Sequence, residues 1–215
     1  MIKIKIENEY SSLKTVILGI ANDIGEPPNI FDAYDPRSLY HAKNNSFPDE
    51  NDLIKNVEKF YNKLLKHNVE ILRPENIPNC NQIFTRDLGF VISNIFFISN
   101  IVPARQDEIQ GIENIIKNLD VGVIKLPEFM HIEGGDVVLH NGKLFIGTYL
   151  DANYSSLITA RTNIESIEYL KKMLPNIEII PIEIKKSNTN IFENTLHLDC
   201  CFQTVGPDKA IICPD

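Results

Sequence analysis

Three short stretches of this 215-residue chain carry groups able to do chemistry together. They are "FTRD", ending at Asp87, "HIEGGD", from His131 to Asp136, and "HLDCC", from His197 to Cys201. In an extended strand, residues i and i+2 project to the same side, so the spacing predicts that His197 and Asp199 share a face. An imidazole titrates near neutrality and suits proton transfer. Carboxylates gathered around it raise one another's pKa, and desolvation adds to that cost. A cleft lined by Asp87, Glu133, Asp136, Asp199 and His197 therefore makes physical sense around something positive. A divalent metal would do, held by Asp87, Glu133, Asp136 and His197. So would a guanidinium, whose flat fork of donors matches carboxylates pairwise. The residue types alone leave both open.

The elements that must aim these groups are legible around them. "RDLGFVISNIFFIS", "GGDVVLHNGKLFIG" and "LDCCFQTVGPDKAIICP" each read as strand, turn, strand, with turns at Ser93-Asn94, Asn141-Gly142 and Gly206-Pro207-Asp208. Asp87, Asp136 and Asp199 each open one of these hairpins, 49 and then 63 residues apart. Helical stripes appear at Leu53, Val57, Phe60 and Leu64, at Ile109, Ile112, Ile116 and Leu119, and at Ile164, Ile167, Leu170 and Leu174. Each is followed by a β-rich run: "VEILRP", "VGVIKLP" and "IEIIPIEI". The fold class is thus α/β, a weak repeat of hairpin, helix and strand, and repeats of this size build radial or stacked arrays. The first copy replaces its hairpin with the polar loop 21–50, which holds four prolines and reads as a disordered segment or a lid. No stretch resembles a linker, so residues 1–215 read as one domain. The last copy stops after its hairpin, which predicts a truncated array.

Composition narrows the partners. A net charge of −8 and a pI near 5.2 argue against nucleic acid or an anionic membrane. "FVISNIFFISNIV" is interrupted by Ser93, Asn94, Ser99 and Asn100, which excludes a membrane helix. "MIKIKIENEY" alternates like a strand and lacks the apolar core of a signal peptide. Cys80, Cys200, Cys201 and Cys213 form no CxxC pair, which predicts a reducing, cytoplasmic setting, with Cys200 and Cys201 as buried packing. His41, His67 and His140 read as loop or surface residues. Arg37 and Arg161 are candidates to meet a substrate carboxylate.

"FTRD", "HIEGGDV" and "HLD", in that order and each at the start of a hairpin, resemble the guanidino-group-modifying superfamily. That superfamily comprises arginine deiminases, dimethylarginine dimethylaminohydrolases and amidinotransferases. "NVEILRPENIP" and "HLDCCFQTVGPDKAIICPD" look like amidinotransferase segments, and the resemblance runs over nearly the whole chain. It implies a pentein-like, pseudo-fivefold propeller of ββαβ units, incomplete in this chain, around an acidic funnel. It also implies a small guanidino substrate and no metal or organic cofactor; a homo-oligomer is allowed. Carried over by position, Asp87, Asp199 and Asp136 would bind substrate, and Glu133 would pair with it and support the histidine. His197 would be general acid and base, while Arg86, Gly134 and Gly135 would shape the site.

The family's nucleophile is a cysteine in a Gly-rich segment beyond the HxD motif. No cysteine here has that context, so the resemblance implies a nucleophile beyond residue 215 and a chain inactive by itself. "EGGD" looks like the hydrolase side, which favours cleavage of a guanidino C–N bond through a covalent cysteine intermediate. Amidino transfer, a metal-dependent hydrolase and a non-catalytic binder of arginine-like cations stand as alternatives.

Overall fold

The computed structural model describes residues 2–213, so Pro214 and Asp215 of the closing "ICPD" lie outside the described residues. β1 (Ile2–Lys3) and β2 (Thr15–Ile17) precede two helices, α1 (Pro36–Asn44) and α2 (Glu50–Lys66), and then β3 (Glu70–Leu72). β4 (Gly89–Ile92) and β5 (Ile95–Ile98) form the first hairpin, followed by α3 (Glu113–Lys117), β6 (Leu119–Asp120) and β7 (Gly122–Lys125). β8 (Val137–His140) and β9 (Lys143–Thr148) form the second, followed by α4 (Ile164–Met173) and β10 (Glu178–Glu183). β11 (Phe202–Gly206) and β12 (Lys209–Ile212) form the third.

The repeat is visible in the pairing. β7 lies parallel to β5, and β10 lies parallel to β9, so each of the first two hairpins gains a third strand after its helical crossover. β2 and β3 pair in parallel without a hairpin, as the irregular first copy predicts. The second hairpin turns tightly because Asn141 and Gly142 both take positive φ, at 48° and 73°. Phe90, Phe97, Leu139, Leu144 and Ile146 from the two three-stranded sheets bury against Ile167 and Leu170 of α4. A second cluster joins Leu88, Phe96 and Ile101 to Ile112 and Ile116, and a third joins Val138 to Ile184 and Leu198.

Several expectations need correction. Loop 21–50 contains α1, whose N-cap Asp35 accepts from Arg37 N and Ser38 N and whose first residue is Pro36. On α2, Phe60 faces solvent at 54% exposure, and the inward stripe runs through Leu53, Val57, Tyr61 and Leu64 instead. The continuous helix expected around 105–119 is a 3-10 segment, Pro103–Ile112, before the short α3. The physical reason is that Arg105 and Glu108 turn inward with Ile112, a polar inward face that the apolar stripe did not include. Cys200 is exposed and Cys201 only partly buried, so neither is the core residue expected.

Candidate active site

Each acid-led motif ends in one 3-10 turn immediately before its hairpin: Thr85–Leu88, Gly134–Asp136 and Leu198–Cys200. The middle turn packs on both of the others. The close approach depends on Gly134 and Gly135. A Cβ on Gly134 would lie 2.1 Å from Arg86 O, and one on Gly135 would lie 2.8 Å from both Asp87 Oδ1 and His197 Cγ.

Glu133, Asp87 and His197 meet at this junction. His197 Nε2 is 2.7 Å from Glu133 Oε2, and its Nδ1 is 3.6 Å from Asp87 Oδ1. All three side chains are buried, Glu133 completely. Glu133 Oε1 also accepts from Val102 N at 3.1 Å and from Arg161 Nη1 at 3.1 Å. Burial pushes the Glu133 carboxyl up, but the bond to His197 and the charge of Arg161 outweigh it and take the pKa down to about 2. For His197, burial disfavours the charged ring, while the Glu133 bond and the Asp87 and Asp136 charges overcome that and raise its pKa. Both shifts favour an imidazolium against a carboxylate.

The two other predicted acids sit elsewhere. Asp136, expected at the substrate, is completely buried and turned the other way. It accepts from Thr162 Oγ1 at 2.6 Å and from Leu198 N at 3.0 Å. Burial raises its pKa, with the His197 and Lys186 charges pulling against that. Asp199 does not share a strand face with His197, because Leu198–Cys200 is a turn and only His197 is extended. Its carboxylate is 27% exposed at the edge of the cluster, 3.9 Å from Arg86 Nε. Burial raises the Asp199 pKa, and His197 and Arg86 lower it. Arg86 braces the junction by donating to Val137 O at 2.6 Å and pairing with Glu9 at 3.2 Å.

Two cationic side chains complete the cluster. Arg161, a sequence candidate for a substrate carboxylate, is fully buried on Glu133 and also donates to Tyr34 O at 3.3 Å. Arg105 escaped the sequence reading altogether. Its Nη1 lies 2.7 Å from Asp87 Oδ2 and 3.8 Å from Glu133 Oε2, and it holds Glu108 through two bonds of 2.7 and 2.8 Å. The available signal was an Arg and a Glu three residues apart within an otherwise apolar-periodic stretch. Arg37 is exposed. The donor atoms of Asp87, Glu133 and His197 lie within 4.8 Å of one another, a spacing a metal ion could use. Here, however, both carboxylates are already satisfied by guanidinium groups.

The chain resembles known proteins in structure and in sequence. In structure it is similar to SxtG, an amidinotransferase of the saxitoxin pathway from Microseira wollei, with a TM-score of 0.72 and 16% identity over 98% of this chain and 69% of that one. It is also similar to the inosamine-phosphate amidinotransferase StrB1 from Streptomyces griseus, with a TM-score of 0.74 and 13% identity over the same shares. The dimethylarginine dimethylaminohydrolase (DDAH) of Pseudomonas aeruginosa, solved with citrulline, gives 0.64 and 18% over 89% of this chain and 66% of that one. The α/β fold of small sheets is thus the one shared by these amidinotransferases and this dimethylaminohydrolase.

In sequence, the family described as "N,N dimethylarginine dimethylhydrolase, eukaryotic" matches residues 38–215, and the chain belongs to that family. A curated relative, the uncharacterized protein YkgA of Bacillus subtilis, is 31% identical over 172 residues, 77% of this chain. The chain spans about half of that relative's length, 54%. Among the described residues no helix is long and apolar enough to cross a membrane.

Proposed function

We propose that these residues carry the guanidinium-binding and proton-transfer part of an enzyme that hydrolyses the guanidino C–N bond of arginine or a derivative. The observation that carries this reading is a buried imidazole 2.7 Å from Glu133 and beside Asp87, in a cluster that already holds two guanidinium groups. Asp87 and Glu133 each accept from a guanidinium group of this chain, so the spacing of these acids suits a flat organic cation, which supports the reading.

In this reading Asp87 accepts from guanidinium N–H groups, and Asp199 does so from the edge of the cluster. Glu133 keeps His197 protonated and oriented. The imidazolium then gives its proton to the departing amine, and the neutral ring takes a proton from the incoming water. A cysteine attacks the guanidino carbon in the first step, forming a C–S bond as the C–N bond breaks, and in the second step water forms the C–O bond as the C–S bond breaks and the thiolate leaves.

Cys80 and Cys200 do not suit that role. Partial desolvation of its thiol pushes the otherwise exposed Cys200 up to about 11 despite the His197 backbone bond, with the Asp199 charge adding to the rise, and burial pushes Cys80 to about 11 as well. The reading therefore assigns the nucleophile to sequence outside residues 1–215, and this chain alone binds without turning over.

Thermal shifts with arginine, methylated arginines and agmatine test the binding part. We expect stabilisation that Asp87→Asn abolishes, and citrulline-type product only when the complete enzyme is assayed. Stoichiometric divalent metal in protein prepared without chelators, together with no response to guanidino compounds, would overturn the reading in favour of a metal-dependent hydrolase.

A further inference from the structure

The His197 ring is fixed through Glu133, but the backbone that presents the ring has little regular structure of its own. Between β10 and β11 the chain runs through irregular residues, and the only element is the single turn Leu198–Cys200. Nonetheless the ring is held within bonding distance of a fully buried carboxylate. Two charged side chains outside the cluster grip this segment on either side of the histidine. Lys186 Nζ donates to Thr195 O at 2.9 Å and to Leu196 O at 2.7 Å. Asp136 accepts from Leu198 N at 3.0 Å and is itself fixed by the Thr162 hydroxyl at 2.6 Å. The peptide groups so held are those immediately before and after His197.

We propose that Lys186 and Asp136 are positioning residues that clamp the peptide groups flanking His197 and thereby set its imidazole against Glu133. The inference rests on the acid–base role proposed for His197 and adds the residues through which that role is maintained. An ammonium suits its half of the clamp because its three donors can meet two successive carbonyls at once. A carboxylate suits the other half because it can take a backbone N–H and a hydroxyl together. Burial lowers Lys186 to about 8, with Asp136 pulling it back up, so the lysine stays charged near neutral pH. The charged groups around the ring are Glu133, Asp87, Asp136 and Asp199, with Arg105, Arg161 and Lys186 behind them.

The clamp and a plain charge effect have opposite signs, which gives the test. Acting directly on the ring, loss of the Lys186 charge would leave the His197 pKa unchanged or raise it; the indirect route, protonation of Asp136, is removed by measuring Lys186→Met in an Asp136→Asn background. Releasing the ring from Glu133 would lower it. The measurement is an NMR titration of the His197 imidazole in the chain itself, assigned by loss of its signal in His197→Asn. We expect Lys186→Met to weaken proton affinity at His197 roughly tenfold or more, one pKa unit. Thr162→Val, which removes one of the two bonds that fix Asp136 and no ionisable group, shifts it in the same direction, and Lys186→Arg retains the parent value.

An unchanged or raised His197 pKa in Lys186→Met, or an unchanged value in Thr162→Val, overturns the proposal. Thr162→Val decides the matter alone should Lys186→Met not fold. A complete enzyme without guanidino activity but with these shifts intact would refute the proposed function and leave the clamp standing.

Discussion

Replacing Glu133 by Gln removes one charge from the centre of the cluster and leaves its shape nearly unchanged. Arg161, fully buried, would lose its anionic partner, and the His197 imidazolium would lose the carboxylate 2.7 Å away. The size of the effect follows from two routes. A carboxyl held near 2 instead of 4.5 contributes about 3 kcal/mol of stability at neutral pH. Removing one member of a buried ion pair costs about 3–5 kcal/mol in general. The two descriptions concern the same interaction and are not added.

The sign with pH follows from the depressed pKa. The contribution is complete above about 4.5 and is lost as pH falls towards 2. Glu133→Gln should therefore be less stable than the parent by about 3 kcal/mol at pH 7 in urea unfolding, and the gap should narrow by about 2 kcal/mol at pH 3. A variant within about 0.5 kcal/mol of the parent at pH 7, or a gap that does not respond to acid, would refute the ion-pair account.

Three further outcomes follow from the same geometry. Gly135→Ala places a methyl group 2.8 Å from both Asp87 Oδ1 and His197 Cγ, so thermal denaturation should show a loss of about 1–3 kcal/mol. Arg105→Ala strands Asp87 and Glu108; its stability deficit at pH 7 should shrink towards pH 5, because burial already raises the Glu108 carboxyl against the opposing pull of Arg105. Millimolar methylguanidinium should restore part of the Arg105→Ala melting temperature, and failure to do so would count against guanidinium selectivity of this cluster.

The hairpins were legible because their cues are local. Strand alternation, Asn141-Gly142 and the acid at each mouth lie within a few residues of one another, and the structure pairs β8 with β9 in the register that turn requires. The meeting of Asp87, Glu133 and His197 was legible only through the repeat, since 46 and 64 residues separate them in sequence. What escaped was direction. A turn of 3-10 helix rotates side chains differently from a strand, so Asp136 faces Thr162 and Leu198 while Asp199 stays at the edge. Arg105 escaped for another reason. Its partner Asp87 is 18 residues away, and only the inward turn of the 3-10 segment brings the two together.

β12 differs from its counterparts β5 and β9 in having no third strand beside it among the described residues. Its peptide groups on that side are open to water, and Ile211 and Ile212 are 65% and 63% exposed next to them. Lys209 supplies the one charge along this strand. An uncovered ribbon of this kind recruits other extended chains, its own copies included. The four residues of β12 thus form an edge on which a further strand could pair.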